Sequence, residues 1–187
     1  AKALYQRAIA IVEKGLGADH PTMAIYLNNL GNTHEAVGEY AEAKALYART
    51  LAIREKGLGP DHPEVAMSLN NLANIHHVRG EYAEAKALYQ RTLAVAEKGL
   101  GADHPDVAIP LNNLANVHEA VGEYTEAKAL TERSLALRER ALGADHPGLI
   151  DSLNSLAVIH EDLGDYVKAQ ALHERALAIR EKAVGPE

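Results

Sequence analysis

The chain is periodic. Ala-Lys-Ala-Leu begins at Ala1, Ala43, Ala85 and Ala127 and returns as Ala-Gln-Ala-Leu at Ala169, always 42 residues on and without insertion or deletion. Asp-His-Pro recurs at Asp19, Asp61, Asp103 and Asp145, and Leu-Asn at Leu27, Leu69, Leu111 and Leu153. A fixed period of this size predicts a solenoid whose units bury their apolar faces only against neighbours. Such a chain offers a long ordered surface rather than an enclosed catalytic cleft. Residues 1–42 and 43–84 agree at 28 of 42 positions, so partner choice would be written at the few sites that differ.

Each period holds two helical patterns. The first is expected from Pro21 to Val37, capped by Asp19 or His20, with Pro near the first position where no amide hydrogen is needed. Its apolar face is Ala24, Leu27, Leu30, Gly31 and His34. Gly38, Gly80, Gly122 and Gly164 would take the left-handed conformation that ends it. The second helix is expected from Tyr40 to Leu58, with a stripe of Ala43, Leu46, Tyr47, Thr50 and Ile53. Gly15, Gly57 and Gly99 become Ala141 and Ala183, so that position tolerates helical geometry. Gly17, Gly59, Gly101, Gly143 and Gly185 never vary and are the expected stops.

This division gives a second helix without its partner at 1–16, then hairpins at 21–58, 63–100, 105–142 and 147–184, read as one domain over 1–187. Leu4, Tyr5, Ala8 and Ile11 are expected to lie open at one end, and Leu172, Ala176 and Ile179 at the other. That predicts a piece of a longer array whose ends are covered by other molecules in a crystal. Pro110 stands where the other units have Tyr26, Ser68 and Ser152, and predicts a kink or widened first turn.

Apolar residues make up 47% of the 187, enough for a substantial core, yet Trp and Phe are absent. Ala, Leu and eight Tyr must therefore carry the packing. The net charge of −7 argues against nucleic acid or an anionic membrane surface as partner. Cysteine is absent, which excludes disulfides and thiolate metal sites. Without a signal peptide, a membrane-length apolar run or a glycosylation sequon, the expected location is cytoplasmic.

The residues Leu69, Leu72, Ala73, Gly80, Tyr82, Ala85, Tyr89 and Thr92 resemble the tetratricopeptide repeat signature. The long second helix and the run Asp-His-Pro…Leu-Asn-Asn-Leu-Ala resemble the kinesin-light-chain type. The resemblance covers the whole chain. It implies an all-α fold, a right-handed α-solenoid of stacked helix-turn-helix hairpins forming a superhelix, and a concave groove lined by the first helices. The chain departs from the family pattern with His34, His76, His118 and His160 at a usual Tyr position. Thr131 and His173 replace the second-helix aromatic and predict looser packing.

Family groove positions carried onto this chain give four rows. One is Glu35, His77, Glu119 and Glu161. The next is Asn32, Asn74, Asn116 and Val158, then Asn28, Asn70, Asn112 and Asn154, then Ile25, Met67, Ile109 and Asp151. Residues four apart share a helix face, and a carboxamide both donates and accepts, which suits the backbone of an extended ligand. Asn29, Asn71 and Asn113 occupy a neighbouring face and are expected to serve the scaffold. The groove rows hold no Lys, so the two-Lys carboxylate clamp of some family members is not matched.

His34-Glu35, His118-Glu119 and His160-Glu161 lack the second His of a His-Glu-x-x-His zinc motif, where Gly stands instead. These His are expected to pack between helices with one hydrogen bond each, and the Asp-His-Pro His to cap. Arg7, Arg49, Arg91, Arg133 and Arg175 either pair with nearby Glu or meet acidic groups of a ligand. No catalytic constellation, metal site or cofactor site is expected.

The leading reading is a non-enzymatic scaffold that binds an extended peptide or a helix of a protein partner. The alternative is a spacer or end-to-end self-assembling array, natural or consensus-designed, with homo-association through the terminal helices. A weaker reading makes the repeats the sensor arm of a larger enzyme.

Overall fold

A computed structural model describes residues 1–184; Gly185, expected to stop the last helix, lies outside the described residues. The chain divides into two compact units, Ala1–Gly99 and Leu100–Glu187. The first carries α1 (Lys2–Leu16), α2 (Pro21–Glu35), α3 (Tyr40–Leu58), α4 (Pro63–Val78) and α5 (Tyr82–Leu100). The second carries α6 (Ala108–Ala120), α7 (Tyr124–Leu142), α8 (Ile150–Asp162) and α9 (Tyr166–Val184). One-turn 3-10 segments, Pro105–Val107 and Pro147–Leu149, precede α6 and α8. No strand occurs among the described residues.

Local chemistry fixes the helix ends. His20, not Asp19, caps α2: its backbone is extended and its Nδ1 accepts from the Thr22 N–H at 3.2 Å. His62, His104 and His146 do the same two residues on. The aspartate of the motif instead takes a cation from its own hairpin, as in Lys56–Asp19 at 2.6 Å and Lys182–Asp145 at 2.7 Å. Helix α2 closes at Glu35, two residues before the expected Val37. Gly38 (φ 77°) lets the Glu39 N–H reach back to the His34 carbonyl at 3.0 Å. Gly59, at φ 85°, stops α3 right after Leu58, where the invariant glycines place the stop.

The core lies where each first helix meets second helices. In the first unit Met23, Ala24 and Leu27 of α2 pack with Ile53 of α3, flanked by Ile9 and Val12 of α1. Ala43, Tyr47 and Leu51 of α3 pack with Val65, Leu69, Leu72 and Ile75 of α4. In the second unit Leu135 of α7 joins Leu149, Leu153 and Leu156 before and along α8, and Ala176 and Ile179 of α9. Full burial of one such aliphatic side chain contributes about 1.5–3 kcal/mol.

Small residues set the closest approach. A Cβ on Gly31 would come within 2.6 Å of the Tyr47 ring, so α2 and α3 meet at a position that admits no side chain while Tyr47 stays where it is.

Two further expectations change. Leu172, Ala176 and Ile179 do not face open solvent: Ala176 and Ile179 are buried and Leu172 packs against their cluster. The open apolar residues of α9 include Tyr166, Val167 and Leu177, 70%, 81% and 55% exposed. Leu177 is the counterpart of Leu51, which α4 covers. Pro110 causes no distortion of its own, because α6 begins at Ala108 and Pro110 lies in its first turn, where the N–H has no intrahelical acceptor. The 3-10 turn before α6 recurs before α8, where Ser152 occupies that position, so proline is not its cause.

Candidate peptide-binding surface

Four residues per first helix, spaced three, four and three apart, fall on one side of it. On α2 these are Ile25, Asn28, Asn32 and Glu35, of which Ile25 and Asn32 are exposed and the other two half-buried. On α4, Met67 is exposed and Asn70, Asn74 and His77 are half-buried. In the second unit Ile109 and Asn116 of α6 are exposed and Asn112 and Glu119 half-buried. On α8, Asp151, Val158 and Glu161 are exposed and Asn154 is half-buried. Ile25, Met67 and Ile109, at 53%, 60% and 54% exposure, form apolar spots beside the carboxamides.

Buried tyrosines underneath hold these carboxamides. Tyr47 is fully buried, and its Oη lies 2.7 Å from Asn32 Oδ1 and 2.6 Å from Glu35 Oε2. Burial, reinforced by Glu35, pushes the Tyr47 hydroxyl far above its ordinary pKa. In the next repeat Tyr89 Oη reaches Asn74 Oδ1 at 2.5 Å, and burial, with Glu35 adding, pushes that hydroxyl up to about 12. The repeats lacking this Tyr differ. Thr131 is buried, whereas His173 is exposed and approaches Asn154 at 3.1 Å and Glu161 at 3.4 Å. A cavity of about 110 Å³ opens beside His173, lined by Ile150, Asn154, Ala176, Leu177 and Arg180, where looser packing was expected. Sequence reasoning missed the tyrosine anchors. Their signal is an Asn followed by a Tyr fifteen positions on, in the same two repeats.

The neighbouring Asn face serves the scaffold: Asn71 Nδ2 donates to Asn28 Oδ1 at 3.1 Å, from one repeat to the previous one. Asn28 therefore has its amino group left for a ligand. Asn112 Oδ1 is buried without a hydrogen-bond partner. The residue one period after Asn113 is Ser155, which is shorter than Asn71.

The His row faces away from this surface. Nδ1 of His34, His76, His118 and His160 lies 2.5, 2.7, 2.6 and 3.5 Å from Glu39, Glu81, Glu123 and Asp165. Lys44 also reaches Glu81, at 2.7 Å, and Lys2 reaches Glu39. Lys44, followed by Arg79, holds Glu81 down at about 2. Burial, then Lys44, lowers His76 despite the opposing carboxylates Glu81 and Glu84. Among the described residues no group of three or more His, Cys, Asp or Glu could hold a metal.

Arg49, Arg91, Arg133 and Arg175 of the Arg row make scaffold contacts. Arg49 meets Glu13 at 3.3 Å, Arg91 meets Glu55 at 2.5 Å and Arg175 meets Glu139 at 2.6 Å. Arg49, Arg133 and Arg175 also donate to the carbonyls of Ala18, Ala102 and Ala144. On the candidate surface itself, burial and then Asp162 push Glu119 above the usual carboxylate range.

The family model of the tetratricopeptide repeat matches residues 1–56, 22–98, 64–139 and 106–182. The chain belongs to the tetratricopeptide repeat family. Its fold is accordingly an all-α helical-repeat solenoid. It is similar to the kinesin-light-chain protein of Podosopora anserina with nearly identical TPR-like repeats, at 30% identity and a TM-score of 0.85 over 97% of this chain and 86% of that one. It is also similar to BtubC (BKLC) of P. vanneervenii, at 25% identity and a TM-score of 0.90 over 100% of this chain and 74% of that one. MamA shares the fold at 21% identity and a TM-score of 0.69, over 96% of this chain and 91% of that one. A comparison with curated protein sequences finds no match. Proteins of this family are generally non-enzymatic and commonly act as protein-interaction scaffolds. No helix among the described residues is long and apolar enough to cross a membrane.

Proposed function

We propose that the chain is a protein-interaction scaffold that holds an extended peptide, or a helix of a partner protein, on the exposed side of its first helices. The observation that carries this reading is that Ile25 and Met67 of the first unit are each more than half exposed beside the carboxamides of α2 and α4, with Ile109 equally open in the second unit. Carboxamides would take the ligand backbone, and the apolar spots its side chains. Ordering a flexible segment opposes binding, so affinity for an isolated peptide is modest. Under this reading residues 1–187 act as one solenoid, the partner is neither nucleic acid nor membrane, and the setting is cytoplasmic.

The test is a peptide-library screen against the whole chain, repeated with Asn32→Ala plus Asn74→Ala and with Met67→Glu. Binders lost in both variants support the reading. Binders indifferent to both, or none at all, overturn it.

A second reading is end-to-end association, favoured by Leu4 and Ile11 at 68% and 70% exposure at one end and Tyr166 and Leu177 at the other. Light-scattering mass that grows with concentration, and stops growing with Leu4→Glu or Leu177→Glu, would support it.

A further inference from the structure

We infer that the first two repeats present carboxamides of opposite polarity, so that this surface takes a peptide with a cationic side chain over Asn32 and Glu35 and a backbone carbonyl over Asn74; the inference rests on the peptide-binding reading above.

The argument turns on one proton. Tyr47 Oη contacts both Asn32 Oδ1 at 2.7 Å and Glu35 Oε2 at 2.6 Å. A phenol carries a single hydrogen and an ionised carboxylate has none to give, so both oxygens cannot be served. The charge-assisted bond to Glu35 is the stronger claimant. The Tyr47–Asn32 contact is then attractive only with the carboxamide turned, its nitrogen donating to Tyr47 Oη and its oxygen facing solvent. Which end of an amide is nitrogen follows from such a network.

The next repeat lacks this competition. His77 replaces Glu35, and its ring meets Tyr82 edge-on at 5.7 Å. Tyr89 therefore gives its proton to Asn74 Oδ1, and the Asn74 amino group faces solvent. Asn28 adds a second outward amino group, since its oxygen already accepts from Asn71. Around Asn32 and Glu35, α2 thus offers a carboxamide oxygen and a carboxylate, both acceptors, while its Asn28, one turn earlier, offers donors. The α4 end offers the Asn74 donors. A Lys or Arg side chain suits the first and a peptide carbonyl the second, with Ile25 and Met67 exposed on the same faces.

Two measurements test this. Neutron diffraction of the deuterated chain should place Asn32 nitrogen against Tyr47 and Asn74 oxygen against Tyr89; the same orientation in both overturns the inference without any ligand. Positional-scanning arrays of nine-residue peptides should show Lys or Arg favoured over Asp or Glu at one position by about fivefold or more. Glu35→His, which copies the residue the next repeat already carries, should bring the Lys and Arg peptides down to the level of the rest of the array, and a preference that survives it overturns the inference. Binders without a Lys or Arg preference overturn the inference and leave the peptide-binding reading standing. An array without binders overturns that reading and the assigned ligand with it.

Discussion

His118 Nδ1 lies 2.6 Å from a Glu123 carboxylate oxygen, while the Glu123 N–H donates to the His118 carbonyl at 2.8 Å. The glycine turn that ends a first helix ordinarily closes with an apolar contact across the same span. Here an imidazole and a carboxylate close it, and the pairing recurs at His34, His76 and His160.

This arrangement makes stability depend on pH. His76 has its folded pKa lowered below 6.5, so its neutral form is favoured by folding. Its contribution is complete above about 6.5 and is lost as pH falls below that value. Glu81, lowered from 4.5 to about 2, adds a contribution that is present above 4.5 and lost between there and about 2. Urea unfolding at successive pH values should show stability falling in both windows, and His76→Asn should flatten the first. No change in stability between pH 7.5 and 5.5 would contradict the assignment.

Tyr47→Phe should cost more stability than Tyr89→Phe. The first removes a donor to a carboxylate, worth about 1.5–3 kcal/mol, the second one to a neutral carboxamide, worth about 1 kcal/mol. Equal losses in thermal unfolding would argue against donation from Tyr47 to Glu35.

Gly31→Ala should destabilise by about 1–3 kcal/mol, because its Cβ would meet the Tyr47 ring at 2.6 Å and the ring is fully buried. A crystal structure of the variant should show Tyr47 displaced. An unshifted ring with unchanged stability would remove the close-approach argument.

Gly57 and Gly59 should respond in opposite senses to alanine. Gly57 lies inside α3 with open space around it, so Gly57→Ala should stabilise by about 0.5–1 kcal/mol. Gly59 sits at φ 85°, so Gly59→Ala should destabilise by about 1–2 kcal/mol. Denaturant midpoints of the two variants check the pair.

How much was legible depends on how far apart the interacting residues lie. The second-helix ends were readable because a left-handed glycine is a property of one residue, and Gly59 differs from Gly57 in never being replaced. The Asp-His-Pro cap was readable because His20 reaches an N–H only two positions on. Candidate surface rows on α2 and α4 follow from helical spacing once the family is recognised. The end of α2 was placed too late because its last turn is bent by the His34–Glu39 reach-back, which no single residue type announces. Leu172, Ala176 and Ile179 were assigned to the wrong side because α9 has apolar residues on two flanks, and periodicity alone does not say which flank turns inward.

The sequence by itself determined the repeat length, the two helices per repeat, the stops of the second helices and the caps of the first, since these are settled by backbone preferences and contacts within a few residues. Tertiary structure decided which side chains are committed and which are free. Tyr47 Oη lies against Asn32 and Glu35, fifteen and twelve residues away, and Lys44 meets Glu81 thirty-seven away. Those pairings depend on how one helix is placed against the next, a placement set by packing around small residues such as Gly31 that no local pattern encodes.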